Sequence, residues 1–137
     1  MDGDDIDADV YVDCLSHEVV SIFSKKKLET KIGGASKTIS FKDHTLFELV
    51  KNILSNFKFY GPLDMDFFYK NGKYYLSEIN PRFGGAYLHA FGAGVDFYKL
   101  ILNNMNGEKS LESIGNYEND ILMMMYDDVV IKKLSEL

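Results

Sequence analysis

The sequence predicts a single α+β domain over residues 1–137, a mainly antiparallel sheet with helices packed on one face. Three observations predict it. The N-terminal third holds β-rich runs separated by a polar break, the middle holds two strand-like arms joined at Asn71-Gly72, and stripes of apolar residues at helical spacing flank those arms.

Taken in order, Ile6 to Leu15 alternates, with Ile6, Ala8, Val10 and Val12 set against Asp5, Asp7, Asp9, Tyr11 and Asp13. That period of two is strand character. Ser16-His17-Glu18 breaks the run, and Val19 to Phe23 is a second strand, plausibly antiparallel to the first. Lys25-Lys26-Lys27 reads as its solvated end, and Leu28 to Lys37, with its glycines and scattered lysines, reads as a loop before a short run at Thr38 to Phe41. Asp43 is positioned to cap a helix whose apolar stripe is Leu46, Leu49, Val50, Ile53, Leu54 and Phe57. Gly61-Pro62 ends that region. A second helix follows Asp96 through Phe97, Leu100, Ile101 and Met105, and stops at Gly107. Ile121 to Tyr126 and Val129 to Ile131 read as strand, with a short helix at the C-terminus. Met123-Met124-Met125 is expected in the core.

Composition excludes several classes. The net charge of −6 argues against binding nucleic acid through its backbone, which calls for a basic face. No apolar run reaches the length of a membrane span, and the acidic N-terminus lacks signal-peptide character. A lone Cys14 rules out an internal disulfide framework, in keeping with a reducing cytoplasm. The acids at Asp2, Asp4, Asp5, Asp7 and Asp9 read as a charged strand edge.

The chemistry concentrates in Asp64 to Gly85. Residues two apart share a strand face, so Asp64 goes with Asp66 and Glu78 with Asn80. The turn decides whether the two pairs meet. A two-residue Asn71-Gly72 turn pairs Lys70 with Lys73 and throws Asp66 and Glu78 to opposite faces. A three-residue turn pairs Tyr69 with Lys73, sets Asp66 opposite Leu76 and Asp64 opposite Glu78, and gathers all four polar groups together. The turn residues suit both. The faces favour the three-residue form, because it also collects Leu63, Met65, Phe67 and Ile79 on one apolar side. Acids so gathered repel one another unless a cation joins them. Pro81 ends the ladder after Asn80 and releases Arg82, while Gly84 and Gly85 let backbone approach an anion.

Glu78-Ile-Asn-Pro-Arg82-Phe-Gly-Gly85, with Asp66 twelve residues before Glu78, resembles the metal and phosphate site of ATP-grasp enzymes, most nearly the carbamoyl-phosphate synthetase-like branch. The resemblance runs on through Gly92 to Asp96 and, more loosely, back to Asp9–Asp13 and the lysine-rich segment before Leu28-Glu29. It implies that Asp66, Glu78 and Asn80 hold Mg2+ (or Mn2+) bridging the phosphates of ATP. It also places Arg82 as the catalytic group near the transferred phosphate and Lys27 as a basic residue beside the substrate. The implied reaction activates a carboxylate substrate as an acyl-phosphate, which an amine or thiol then displaces. Asp64 is expected in a supporting or surface role, and His17, His44 and His89 as structural or exposed.

The resemblance covers a C-terminal lobe alone. The N-terminal lobe, which in such enzymes supplies lysines for the phosphates and a hinge for adenine, has no room before the hairpin. The chain is therefore expected to be a fragment, a split subunit or an excised domain that is inactive alone and works with a missing lobe or partner subunit. The alternative is a stand-alone, non-catalytic module that binds nucleotide, metal or a partner. Surface normally covered by the other lobe leaves self-association open.

Overall fold

The computed structural model describes residues 3–28 and 36–137. The loop expected between Leu28 and Lys37 falls largely outside the described residues. Six strands form one antiparallel sheet in the order β5-β4-β1-β2-β3-β6: β1 (Asp4–Val12), β2 (Val19–Leu28), β3 (Ser36–Phe41), β4 (Gly61–Lys70), β5 (Lys73–Asn80) and β6 (Leu122–Met125). Among the described residues three α-helices accompany it, α1 (His44–Leu54), α2 (Leu88–Gly92) and α3 (Phe97–Met105), with a 3-10 turn at Leu134–Glu136.

β1 lies inside the sheet, paired with β4 on one side and β2 on the other. Its alternation has a double use. Ile6, Ala8, Val10 and Val12 enter the apolar core, and Asp7, Asp9 and Tyr11 are buried on the opposite face. The charged-edge reading of these acids is therefore corrected: the strand is central and both its faces are covered. α1 covers the apolar face with Leu46, Phe47, Val50 and Leu54. Its N-cap is Asp43, which accepts from the Thr45 amide (3.0 Å) and from the Tyr74 hydroxyl of β5 (2.6 Å). Phe57, expected in the stripe, falls past the helix end and is exposed.

The helical cover is split between the two faces. α3 lays Phe97 on Tyr11, with ring centroids 5.6 Å apart, and Phe97 and Tyr87 stack into the same aromatic layer. The buried His89 of α2 bridges Thr38 on β3 (2.7 Å) and the Ile121 carbonyl (2.8 Å). α2 and α3 thus close one part of the acid-bearing face and leave the Asp66–Glu78 part open.

Two C-terminal expectations change. β6 is an edge strand whose Leu122, Met124 and Met125 are exposed, so the methionine run lies outside the core. Val129 to Ile131 forms no strand, and its side chains lie in solvent without a pairing neighbour among the described residues.

Asp13, fully buried after β1, ties the β1–β2 turn to the end of α3 and the segment that follows it. Its carboxylate accepts from the Leu15 and Ser16 amides, the Asn104 side chain and the Ser110 amide at 2.7–3.1 Å. Burial alone would push this carboxyl up, but those four donors outweigh it and hold it far below the ordinary carboxylate range. A depressed folded-state pKa gives stability that is fully present above the unfolded value near 3.9 and is lost as pH falls through the folded one. We expect Asp13→Ala to cost at least about 3 kcal/mol at pH 7. The gap to wild type should narrow steadily as urea unfolding is repeated from pH 5 down to pH 2.

Candidate functional site

The β4–β5 hairpin sets the geometry. Its turn is the two-residue form: Lys70 pairs with Lys73, and Asn71 and Gly72 have φ of 52° and 74°. Both central residues in the left-handed region define the tight hairpin turn that Asn-Gly favours. The three-residue turn is thus corrected. The register nevertheless changes inside the hairpin, between Asp66 and Phe67. Phe67 pairs with Leu76 and Asp66 pairs with Glu78, so Ser77 is the extra residue of a β-bulge. The bulge supplies the odd step that the turn does not. Asp66 faces Glu78 directly and Asp64 faces Asn80, in place of the expected Asp66–Leu76 and Asp64–Glu78 pairs.

Pro81 ends the ladder after Asn80. The Arg82 amide turns back to the Asn80 carbonyl (2.8 Å), and the Arg82 guanidinium leaves the sheet, mostly exposed. Its Nη1 donates to the Phe83 carbonyl (3.0 Å) and stands 3.8 Å from Asp64 Oδ2. Gly84 rests over the acids: a Cβ there would meet Asp64 Oδ1 at 2.8 Å and Asp9 Oδ1 at 3.2 Å. This glycine therefore permits close seating on carboxylates.

Pairing continues inward from the hairpin. Asp66 lies beside Asp7, and Asp64 beside Asp9, across the β1–β4 ladder. Asp7 in turn pairs with Lys25 of β2. Lys25 has no exposed side-chain surface, and its Nζ lies 2.6 Å from Asp9 Oδ2, 3.5 Å from Asp7 Oδ2 and 3.3 Å from the Ala86 carbonyl. The solvated-end reading of the lysine run is wrong for Lys25, since β2 extends to Leu28 and carries it into the interior. Lys27, half-exposed on the same face, reaches Asp66 Oδ1 at 3.4 Å.

The electrostatics follow from this burial. Burial pushes the Asp9 carboxyl up to about 6, with Lys25 pulling against it. Burial and then the neighbouring Asp7 push Asp64 up to about 8. Asp66 is also raised, by burial first and Asp7 next, with Lys27 opposing. Burial would lower Lys25, but Asp9 and Asp7 more than compensate and hold it charged.

Each candidate from the sequence has a place. Asp66, Glu78 and Asn80 share one face, Lys27 touches Asp66, and Arg82 stands at the strand end near Asp64. Asp64, expected in a supporting or surface role, is 7% exposed and paired within the sheet. Asp7, Asp9 and Lys25 were missed as members. Their signal was present in the alternation of Asp7 and Asp9 with Ile6, Ala8 and Val10, which places both acids on the face of Asp64 and Asp66 once β1 is central.

A family model described as "ATP-grasp in the biosynthetic pathway with Ter operon" matches residues 7–128, most of the chain. The chain belongs to the ATP-grasp family. Two crystal structures of N5-carboxyaminoimidazole synthetase from Staphylococcus aureus, one complexed with ADP, share the fold of this ATP-grasp chain with a TM-score of 0.61 at 20% identity. Each match covers 81% of this chain and 31% of the synthetase chain, so the present sequence spans about a third of those proteins. No curated protein matches it in sequence. No helix among the described residues is long and apolar enough to cross a membrane.

The donor set of this ATP-grasp face is all oxygen: carboxylates of Asp66 and Glu78 and the amide of Asn80. Such hard donors fit Mg2+ or Mn2+. Among the described residues, five carboxyl groups (Asp7, Asp9, Asp64, Asp66 and Glu78) share the face with Lys25, Lys27 and Arg82. Lys25 pulls the Asp9 carboxyl down against burial. Lys25→Met should therefore destabilise the fold by about 3–5 kcal/mol, since it leaves buried carboxylates uncompensated. Adding Asp9→Asn should restore part of that loss in the same urea titration.

Proposed function

We propose that this chain is the C-terminal-lobe portion of an ATP-dependent, carboxylate-activating ligase of the carbamoyl-phosphate synthetase-like branch, and that Asp66, Glu78 and Asn80 hold Mg2+ or Mn2+ against the phosphates of ATP. The observation that carries this reading is the bulged register, which sets Asp66 opposite Glu78 and Asp64 opposite Asn80 on one open face. The ion would neutralise charge on the phosphates and hold them in line for transfer.

The chain's own residues would do the rest by position and charge. Asp66 is anchored on a strand with neighbours on both sides, and Lys27 at 3.4 Å both balances it and stands ready to meet an anionic substrate. Arg82 projects its guanidinium from the strand end, where two parallel N–H groups can clamp a phosphoryl group. The reaction we propose is attack of a substrate carboxylate oxygen on the γ-phosphorus of ATP, releasing ADP. An amine or thiol then attacks the acyl carbon and inorganic phosphate leaves. Because the chain spans 31% of the synthetase structures, we place the grip on adenine outside these residues, in a further lobe or a partner subunit. That share also favours a second reading, a non-catalytic module that binds nucleotide, metal or partner without completing the reaction.

Mg-ADP should raise the melting temperature of the chain, adding about 2.7 kcal/mol at a ligand concentration one hundred times Kd. Asp66→Asn and Glu78→Gln should each weaken that binding about 10–100-fold by calorimetry. Binding that both variants retain would overturn the assignment. The coding sequence immediately upstream separates the two readings. An in-frame extension with a glycine-rich loop and lysines supports the ligase, and a stop codon there supports the module.

A further inference from the structure

β1 carries carboxylates that the nucleotide-linked set of Asp66, Glu78 and Asn80 does not use. Asp7 is 5% exposed and stands between Lys25 on one side and Asp66 on the other. Lys25 takes its Oδ2, at 3.5 Å. The other oxygen, Oδ1, is buried and has no hydrogen-bond partner among the described residues. Asp64, 7% exposed on β4, likewise has a buried Oδ1 without a partner among them. Asp7, Asp64 and Asp66 each offer one carboxylate oxygen, and these atoms lie within 4.8 Å of one another.

Carboxyl groups this close and this dry cannot all stay ionised without a cation, and each buried oxygen without a donor costs the desolvation it underwent. Lys25 relieves Asp7 and Asp9, not Asp64. Arg82 stands 3.8 Å from Asp64 with its side chain largely in solvent, a weak counterweight. Among the described residues Lys27 reaches Asp66 at 3.4 Å, so Asp64 is the member with no close cation besides Arg82, and the half-buried Asp66 lets solvent reach the cluster.

We infer that Asp7, Asp64 and Asp66 form a second cation site, one that takes a hard divalent ion without nucleotide. Three carboxylate donors with water completing the shell are the ligands that Ca2+, Mn2+ and Mg2+ prefer. The three oxygens lie close enough together for one such ion to reach all of them. Asp66 belongs to both sets, and in that one residue this inference rests on the proposal above; Asp7 and Asp64 are particular to the inner site.

Calorimetry of the full chain with CaCl2 and MnCl2, no nucleotide present, tests this. One ion per chain should bind, with a rise in melting temperature. Asp7→Asn should weaken that binding at least about tenfold, read against the variant's own metal-free melting temperature because it also loosens the contact with Lys25. Asp64→Asn is the second variant should Asp7→Asn lose its far-ultraviolet circular dichroism, and the same weakening is expected of it. Glu78→Gln should weaken the Mg-ADP response about 10–100-fold yet keep Ca2+ binding, so failure of the nucleotide proposal and failure of this one read out separately. The inner site is refuted by any of three results. These are no ion bound to wild type, as when Asp7 and Asp64 simply share a proton, undiminished binding in Asp7→Asn, or a loss in Glu78→Gln as large as in Asp7→Asn.

Discussion

The arrangement depends on one buried ion pair, Lys25 with Asp9 at 2.6 Å, in the middle of the sheet. Taking a lone carboxylate or ammonium out of water costs several kcal/mol, so neither group could sit there by itself. Together, and with Asp7 at 3.5 Å, they let three charged side chains occupy adjacent strands beneath α2. This has a consequence for the outer residues. Asp64 and Asp66 stand on a floor whose charge is already partly balanced, so what remains uncompensated is concentrated toward the open end of the hairpin.

Aromatic packing gives this polar layer its boundary. Tyr11, Phe97, Tyr87 and Phe83 form a continuous stack from the C-terminal end of β1 to the loop after Arg82. The Tyr87 hydroxyl accepts from the Phe97 amide (2.7 Å) and donates to the Val95 carbonyl (2.9 Å), which satisfies the start of α3 where no water reaches. Below it the acids are dry; beyond it they meet solvent. The site therefore has a sheltered inner half and an accessible outer half, set by how far the stack extends.

Much of this was legible in the residues. The Asp43 and Asp96 caps and the apolar stripe of α1 follow from local rules, and both helices begin where those caps predict. The shared face of Asp66, Glu78 and Asn80 was favoured by the apolar set it leaves on the opposite side, although the turn that was expected to deliver it is not the one used. Asn71-Gly72 obeys its own preference for a two-residue turn, and nothing in Leu76-Ser77-Glu78 announces a bulge. Lys25 was hidden for a different reason. Three consecutive lysines look solvated, and only the strand order reveals that the first of them meets Asp7 and Asp9 across β1. The exposed Met124 likewise reflects position, because an apolar run on an edge strand has one neighbour fewer than the same run inside.

The Ser77 bulge bears on how such hairpins can be inherited. Asp66 and Glu78 are twelve residues apart with one residue bulged out; remove Ser77, and Glu78 drops into the regular position opposite Asp66. Eleven residues without a bulge and twelve with one thus present the same pair of acids to the same side. What descent must preserve is the parity of turn plus bulge, and the count of residues between the acids is free to drift so long as that parity is kept.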